Sequence, residues 1–240
     1  MLRRFTLVLA GFMFVAVNAG AQTADEVVAK SIAAHGGAAK LKGLQTMRLT
    51  GTMSMMGADF PITVEQKRPK MVRLDLDIQG TINTQAYDGK TGWLFMPAQG
   101  MNAPQPAPPE VLKDLDEQAD MDLPYMDYQA KGNKVELAGK ETVASAETYR
   151  LKITLKNGDV RNYYLDAKSY LPVKTDADRV VDGKPATTET FISDYREVDG
   201  LMIPHIIENR SPGLIQKVTV QKVEINVPIE DARFRMPSAK

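Results

Sequence analysis

Hydrophobic residues first recur at helical spacing and then switch to strand spacing. Between Thr23 and Ala34, Val27, Val28 and Ile32 form an apolar stripe with their alanine neighbours. Thr23 and Glu26 have capping-box spacing, in which each side chain satisfies the other's free backbone N–H. Gly36-Gly37 follow His35 and end this predicted helix, and a short turn, "AAKLKGL", leads on. In "MRLTGTMSM", Met47, Leu49, Gly51, Met53 and Met55 share one face, with Arg48, Thr50, Thr52 and Ser54 on the other. "FPITVEQKR" sets Phe60, Ile62 and Val64 on one side. "VRLDLDI" sets Val72, Leu74, Leu76 and Ile78 against Arg73, Asp75 and Asp77. "GWLFMP" has Trp93 and Phe95 on one face, with Leu94 and Met96 on the other. The pattern predicts consecutive antiparallel strands with one wet face, joined by short turns at "MGAD" and "IQG".

The alternation then stops. "MPAQGMNAPQPAPP" is proline-rich and predicts a loop. "PEVLKDLDEQADMD" predicts a helix with Pro109 near its start and Val111, Leu112 and Leu115 on one side. Strands resume with a hairpin at Asn157-Gly158, a second about Asp182-Gly183 and a third at "SPG". "IEDARFRMP" closes the chain with an apolar hook. With no internal repeat and no linker, residues 22–240 read as one domain.

Composition narrows the setting. Arg3-Arg4, the apolar run Phe5 to Val17 and "AGA" before Gln22 form a secretory signal peptide over residues 1–21. The run is too short to span a bilayer permanently. The chain has 30 basic and 30 acidic residues, and removal of Arg3 and Arg4 with the leader leaves a net charge of −2. No pull toward nucleic acid is expected from that balance. There is no cysteine, which excludes disulfides, thiol chemistry and a lipid-bearing cysteine.

Catalysis needs groups that converge, and the sequence offers none. His35 ends a helix and His205 lies on a strand, with no paired spacing between them. The run Asp114, Asp116, Glu117, Asp120 and Asp122 lacks the glycine and oxygen spacing of a calcium loop and reads as a solvated helix face. "DADRVVDG" fails likewise. Neither a metal site nor a cofactor is expected. "DGKTG" (Asp88 to Gly92) is not a phosphate cradle, because a strand follows where a helix N-terminus would be needed. It is a bend that delivers Trp93 and Phe95.

Three segments carry a family resemblance. "YDGKTGWLFMP" resembles the D-G-K-T-x-W segment of LolA-type periplasmic carriers, which sort outer-membrane lipoproteins. "KRPKMVRL" (Lys67 to Leu74) resembles their K-R-P strand-turn-strand, and "DARFRMP" (Asp231 to Pro237) their chain ending. Greater length and the segment "FISDYREVDGLMIPHIIE" resemble the broader homologues more than the carriers proper. The resemblance implies a mainly β fold: an incomplete, strongly curved antiparallel β-barrel whose concave face is covered by helices. It implies a non-enzymatic periplasmic carrier of lipoprotein acyl chains or another lipid-like cargo. An inner-membrane transporter and an outer-membrane receptor would be its partners, with only transient membrane contact. The cavity expected from alternation and this fold comprises Met47, Leu49, Met53, Phe60, Ile62, Val64, Leu74, Leu76, Trp93 and Phe95, under a lid of Val111, Leu112 and Leu115. Arg68 corresponds to the arginine that fastens the lid in the family. The alternative is an envelope sensor or assembly domain that binds a protein partner on the same concave face.

Overall fold

Thr23 caps the first helix as its spacing predicts: its hydroxyl accepts from Glu26 N at 3.2 Å, and its own N–H donates to the Glu26 carboxylate at 3.0 Å. The computed structural model describes residues 22–181 and 184–237. The expected signal peptide and the Asp182-Gly183 tip lie outside the described residues. Helices α1 (Ala24–Ala34) and α2 (Ala38–Gly43) are joined through Gly36, where a Cβ would stand 2.2 Å from the Gly200 carbonyl oxygen. Only glycine fits that approach.

Five strands follow: β1 (Thr46–Met55), β2 (Ala58–Lys67), β3 (Met71–Ile78), β4 (Thr81–Tyr87) and β5 (Gly92–Phe95). The proline-rich loop contains the two-residue β6 (Gln105–Pro106) and leads to α3 (Pro109–Gln118). The remaining strands are β7 (Lys134–Val143), β8 (Ala146–Thr154), β9 (Val160–Asp166), β10 (Pro172–Val181), β11 (Lys184–Val198), β12 (Leu201–Ser211) and β13 (Leu214–Ile225). They form one antiparallel sheet in the order β6-β5-β4-β3-β2-β1-β13-β12-β11-β10-β9-β8-β7. The two edge strands do not pair, so the sheet is open.

Its curvature follows from what α3 touches. Leu115 of α3 packs on Val72 of β3 and Tyr87 of β4, while Glu117 bonds Arg161 of β9. Seven strand spacings separate β3 from β9, about 34 Å if the sheet were flat. One ten-residue helix meets both only because the sheet wraps around it.

Register assigns the inner face. Leu49, Gly51 and Met53 of β1 oppose Val64, Ile62 and Phe60 of β2. Ile62, Val64 and Gln66 oppose Leu76, Leu74 and Val72, and Val72, Leu74 and Leu76 oppose Tyr87, Gln85 and Asn83. Across β1, Leu49 and Met53 oppose Val223 and Val218 of β13. Side chains directly opposite share a face.

Trp93 and Phe95 correct the sequence reading. Tyr87 opposes Gly92, so Trp93 opposes Ala86 and Phe95 opposes Thr84, both on the outer face. The Asp88 carboxylate sets this register by accepting from Lys90 N at 2.9 Å and Thr91 N at 2.7 Å, closing a tight Asx bend. The bend delivers the indole to the opposite side from the expected one. There Trp93 Nε1 donates to the Phe234 carbonyl at 2.8 Å, under the C-terminal hook. Trp93 and Phe234 are buried in this outer contact. Beside them, outer-face Glu65 is 2% exposed and is held by Arg48 and Arg233, while Arg73 lies over the Trp93 ring.

Candidate functional site

Three packed groups fill part of the inner side. Val27 and Val28 of α1 pack with Tyr125, Val135, Leu151, Ile153 and Leu165. Leu41 and Leu44, at the end of α2, pack with Met126 and Leu201 and against Met47 and Ile225. Leu115 and Ala119 pack with Val72 and Tyr87, with Val64, Leu74, Val111 and Leu112 around them. The expected lid residues therefore lie on the inner face, and Gly92 leaves room for Leu112, whose Cδ1 would be 2.8 Å from an added Cβ.

The inner face runs on beyond these groups toward the β1–β2 and β12–β13 hairpins. Leu49, Met53, Phe60 and Leu76 are half-buried there, with Val218 and Val223 from β13 and Ile207 from β12. None of them belongs to a packed group under a helix. Of the ten residues expected to line a cavity, Met47, Val64 and Leu74 sit beneath α2 or α3. Leu49, Met53, Phe60 and Leu76 line the uncovered stretch, Ile62 on the same face is buried, and Trp93 and Phe95 are on the far side of the sheet.

Polar contacts fasten the cover. Arg68, in the β2–β3 turn, donates from Nε to Leu44 O at 2.7 Å and from Nη2 to Leu41 O at 3.1 Å. Nη2 also bonds Asp122 Oδ1 at 2.5 Å. Arg68 thus ties the end of α2 to the segment after α3, and does not touch the predicted lid residues themselves. Burial acts to raise the Asp122 carboxyl, but Arg68 and then Lys131 hold it below the usual carboxylate range.

On α3 itself, Lys70 reaches Asp116 at 2.7 Å from the β3 side, and Lys113 reaches Asp159 at 2.7 Å on the β9 side. Arg161 grips Glu117 through Nε at 2.9 Å and Nη2 at 3.0 Å. Burial opposes the Arg161 charge, and Glu117 and Asp159 more than restore it. Burial, together with Asp116, pushes the Tyr87 hydroxyl up to about 12. Lys70, Lys113, Asp116, Glu117, Asp159 and Arg161 line a charged cleft of about 680 Å³ between α3, the segment after it and β9.

The sequence reading missed this cleft and took the acidic run as a solvated face. One signal was present: Arg161 alternates with Tyr163 and Leu165 and so occupies an inward position, where a charge needs a partner. The histidines are structural. His35 Nδ1 lies 2.8 Å from Ser31 O with its ring perpendicular to that of Tyr195, and His205 Nδ1 lies 3.0 Å from Ile203 O.

Comparison with protein-family models and with curated proteins gives no match. Among solved structures, the chain is similar to a LolA superfamily protein from Nitrosomonas europaea, at 13% identity and a TM-score of 0.60, covering 90% of this chain and 98% of that one. It is similar to a DUF1329 family protein from Desulfovibrio piger, at 15% identity and a TM-score of 0.63, covering 88% and 97%. A third likeness is to a domain assigned to outer membrane lipoprotein-sorting proteins in Vibrio parahaemolyticus, at 13% identity and a TM-score of 0.58, covering 87% and 94%. At these identities the likeness establishes a LolA-like fold.

Proposed function

We propose that the chain is a non-enzymatic carrier, exported to the periplasm, that holds lipoprotein acyl chains or another lipid-like ligand against its inner face. The observation that carries this reading is the half-buried apolar stretch of Leu49, Met53, Phe60 and Leu76, which faces inward and belongs to none of the groups packed under the helices. A contiguous apolar face that no helix of the chain covers is suited to an apolar ligand. Each methylene buried there contributes about 0.8 kcal/mol, so one long acyl chain offsets the cost of moving a cover held by a few ion pairs. Val64 and Leu74 join the site when α3 lifts, and Met47 when α2 does. The methionines among these residues adapt to flexible chains of varied length. On this reading, cargo passes from an inner-membrane source to an outer-membrane acceptor, and the LolA-like fold is consistent with such sorting.

The test is extraction of the protein purified from the periplasm, with mass spectrometry of what it carries. Wild type is expected to yield an acylated lipid that Phe60→Asp and Leu76→Asp do not. Protein that is empty, or equally loaded in all three forms, contradicts the reading.

A further inference from the structure

Register sets two unlike rows side by side on the inner face. Ile192, Ile207, Val218, Met53 and Phe60 oppose one another in turn across β11, β12, β13, β1 and β2. They carry the uncovered apolar stretch across five strands. Two residues nearer the hairpin ends, Thr190, Asn209, Gln216 and Met55 oppose one another across β11, β12, β13 and β1. Strand residues two apart point to the same side, so this second row also faces inward.

The second row is polar but uncharged. Charge on these strands is kept to the other face, where Glu189 opposes Arg210 and Glu208 opposes Lys217. Arg161, an inward charge further round on β9, is already gripped by Glu117. The row also has hydrogen-bonding capacity to spare. Thr190 Oγ1 donates to Asn209 Oδ1 at 2.8 Å, which leaves Asn209 Nδ2 without a partner among the described residues. Gln216 Nε2 meets only Met55 Sδ among them, at 3.8 Å. A thioether sulfur is a weak acceptor, and a carbonyl oxygen is a stronger one in its place.

We propose that Asn209 and Gln216 hold the uncharged carbonyl head of a cargo lipid, an acyl chain in ester or amide linkage, whose chain lies along the apolar row. This rests on the carrier reading and names the chemical class that the site selects. An ester or amide carbonyl accepts from the two side-chain amides and brings no charge onto the row. A free carboxylate would bring its charge to a row that has no cation to meet it. Its lost hydration costs more than two neutral hydrogen bonds return. The linked chain is therefore preferred over the free fatty acid, which binds more weakly.

The experiment titrates the full mature chain with dodecanoic acid bearing a fluorophore at its far end, and with the methyl ester of the same molecule. Near neutral pH the acid is ionised, so the pair differs in head charge. Wild type is expected to bind the ester about tenfold more tightly than the acid. Asn209 is exposed and accommodates a longer side chain, so Asn209→Lys should supply the missing cation and reverse that order. Gln216→Leu should bind the ester about fivefold more weakly than wild type does. Thermal melts check that both variants stay folded. Equal affinity of wild type for acid and ester, or affinities that neither substitution changes, overturns the head-group assignment and leaves the carrier reading standing. Wild type that binds neither ligand overturns both.

Discussion

Asp122 accepts a 2.5 Å bond from Arg68, whose other donors hold the carbonyls of Leu44 and Leu41. One guanidinium thus joins three separate stretches of chain, and five fixed donors make that possible where a lysine ammonium has only a point charge. Arg68→Leu is expected to lower stability by about 1.5–3 kcal/mol and to raise binding of a hydrophobic dye, with Arg68→Lys recovering little of either. Thermal melts and dye fluorescence check this.

The same pair predicts a pH dependence. The folded Asp122 carboxyl lies below its unfolded value of about 3.9, so its contribution is present above that value and is lost as pH falls through the folded one. Asp122→Asn should therefore destabilise the protein near neutral pH and make little difference at about pH 2. Denaturant midpoints at both pH values measure the contrast.

His35 works in the same direction at milder acidity. Burial holds its imidazole below the usual value against the raising effect of the Ser31 carbonyl. A folded value below the unfolded one of about 6.5 means stability is full above 6.5 and declines as pH falls toward the folded value. Wild type should melt progressively lower as pH drops below about 6.5, and His35→Gln should show a flatter profile across that window.

The α3 contacts predict an electrostatic as well as an apolar closure. Glu117→Gln removes both carboxylate contacts to the buried Arg161 guanidinium and should cost about 1–2 kcal/mol, given the partly exposed Glu117 side chain. Leu115→Ala, at a fully buried position, should cost about 2–5 kcal/mol. Both should raise dye binding, measured on protein shown by circular dichroism to remain folded.

Alternation identified the inner face of β1, β2 and β3 because each strand has an apolar side and a charged side. In β5 the same method had nothing to separate: Trp93, Leu94, Phe95 and Met96 are apolar on both faces. Only the Asp88 bend, through the Tyr87–Gly92 pairing, decides that the indole points outward. The hook residue Phe234 was legible as apolar, but its partner 141 positions earlier was not. Arg68 was placed by resemblance and the structure supplies its bonding partners. Glu117, Asp116 and Asp122 looked like solvent charges because their partners, Arg161, Lys70 and Arg68, come from distant strands and turns.

The central claim is that acyl chains bind the inner face, and titration of a fluorescent fatty acid against wild type, Phe60→Asp, Leu76→Asp and Trp93→Phe tests it most directly. Phe60 and Leu76 lie inward and Trp93 outward on the same sheet, so the variants separate the two faces. The account predicts saturable binding to wild type, loss in Phe60→Asp and Leu76→Asp, and binding retained in Trp93→Phe. Equal binding by all four proteins, or loss in Trp93→Phe alone, would contradict it.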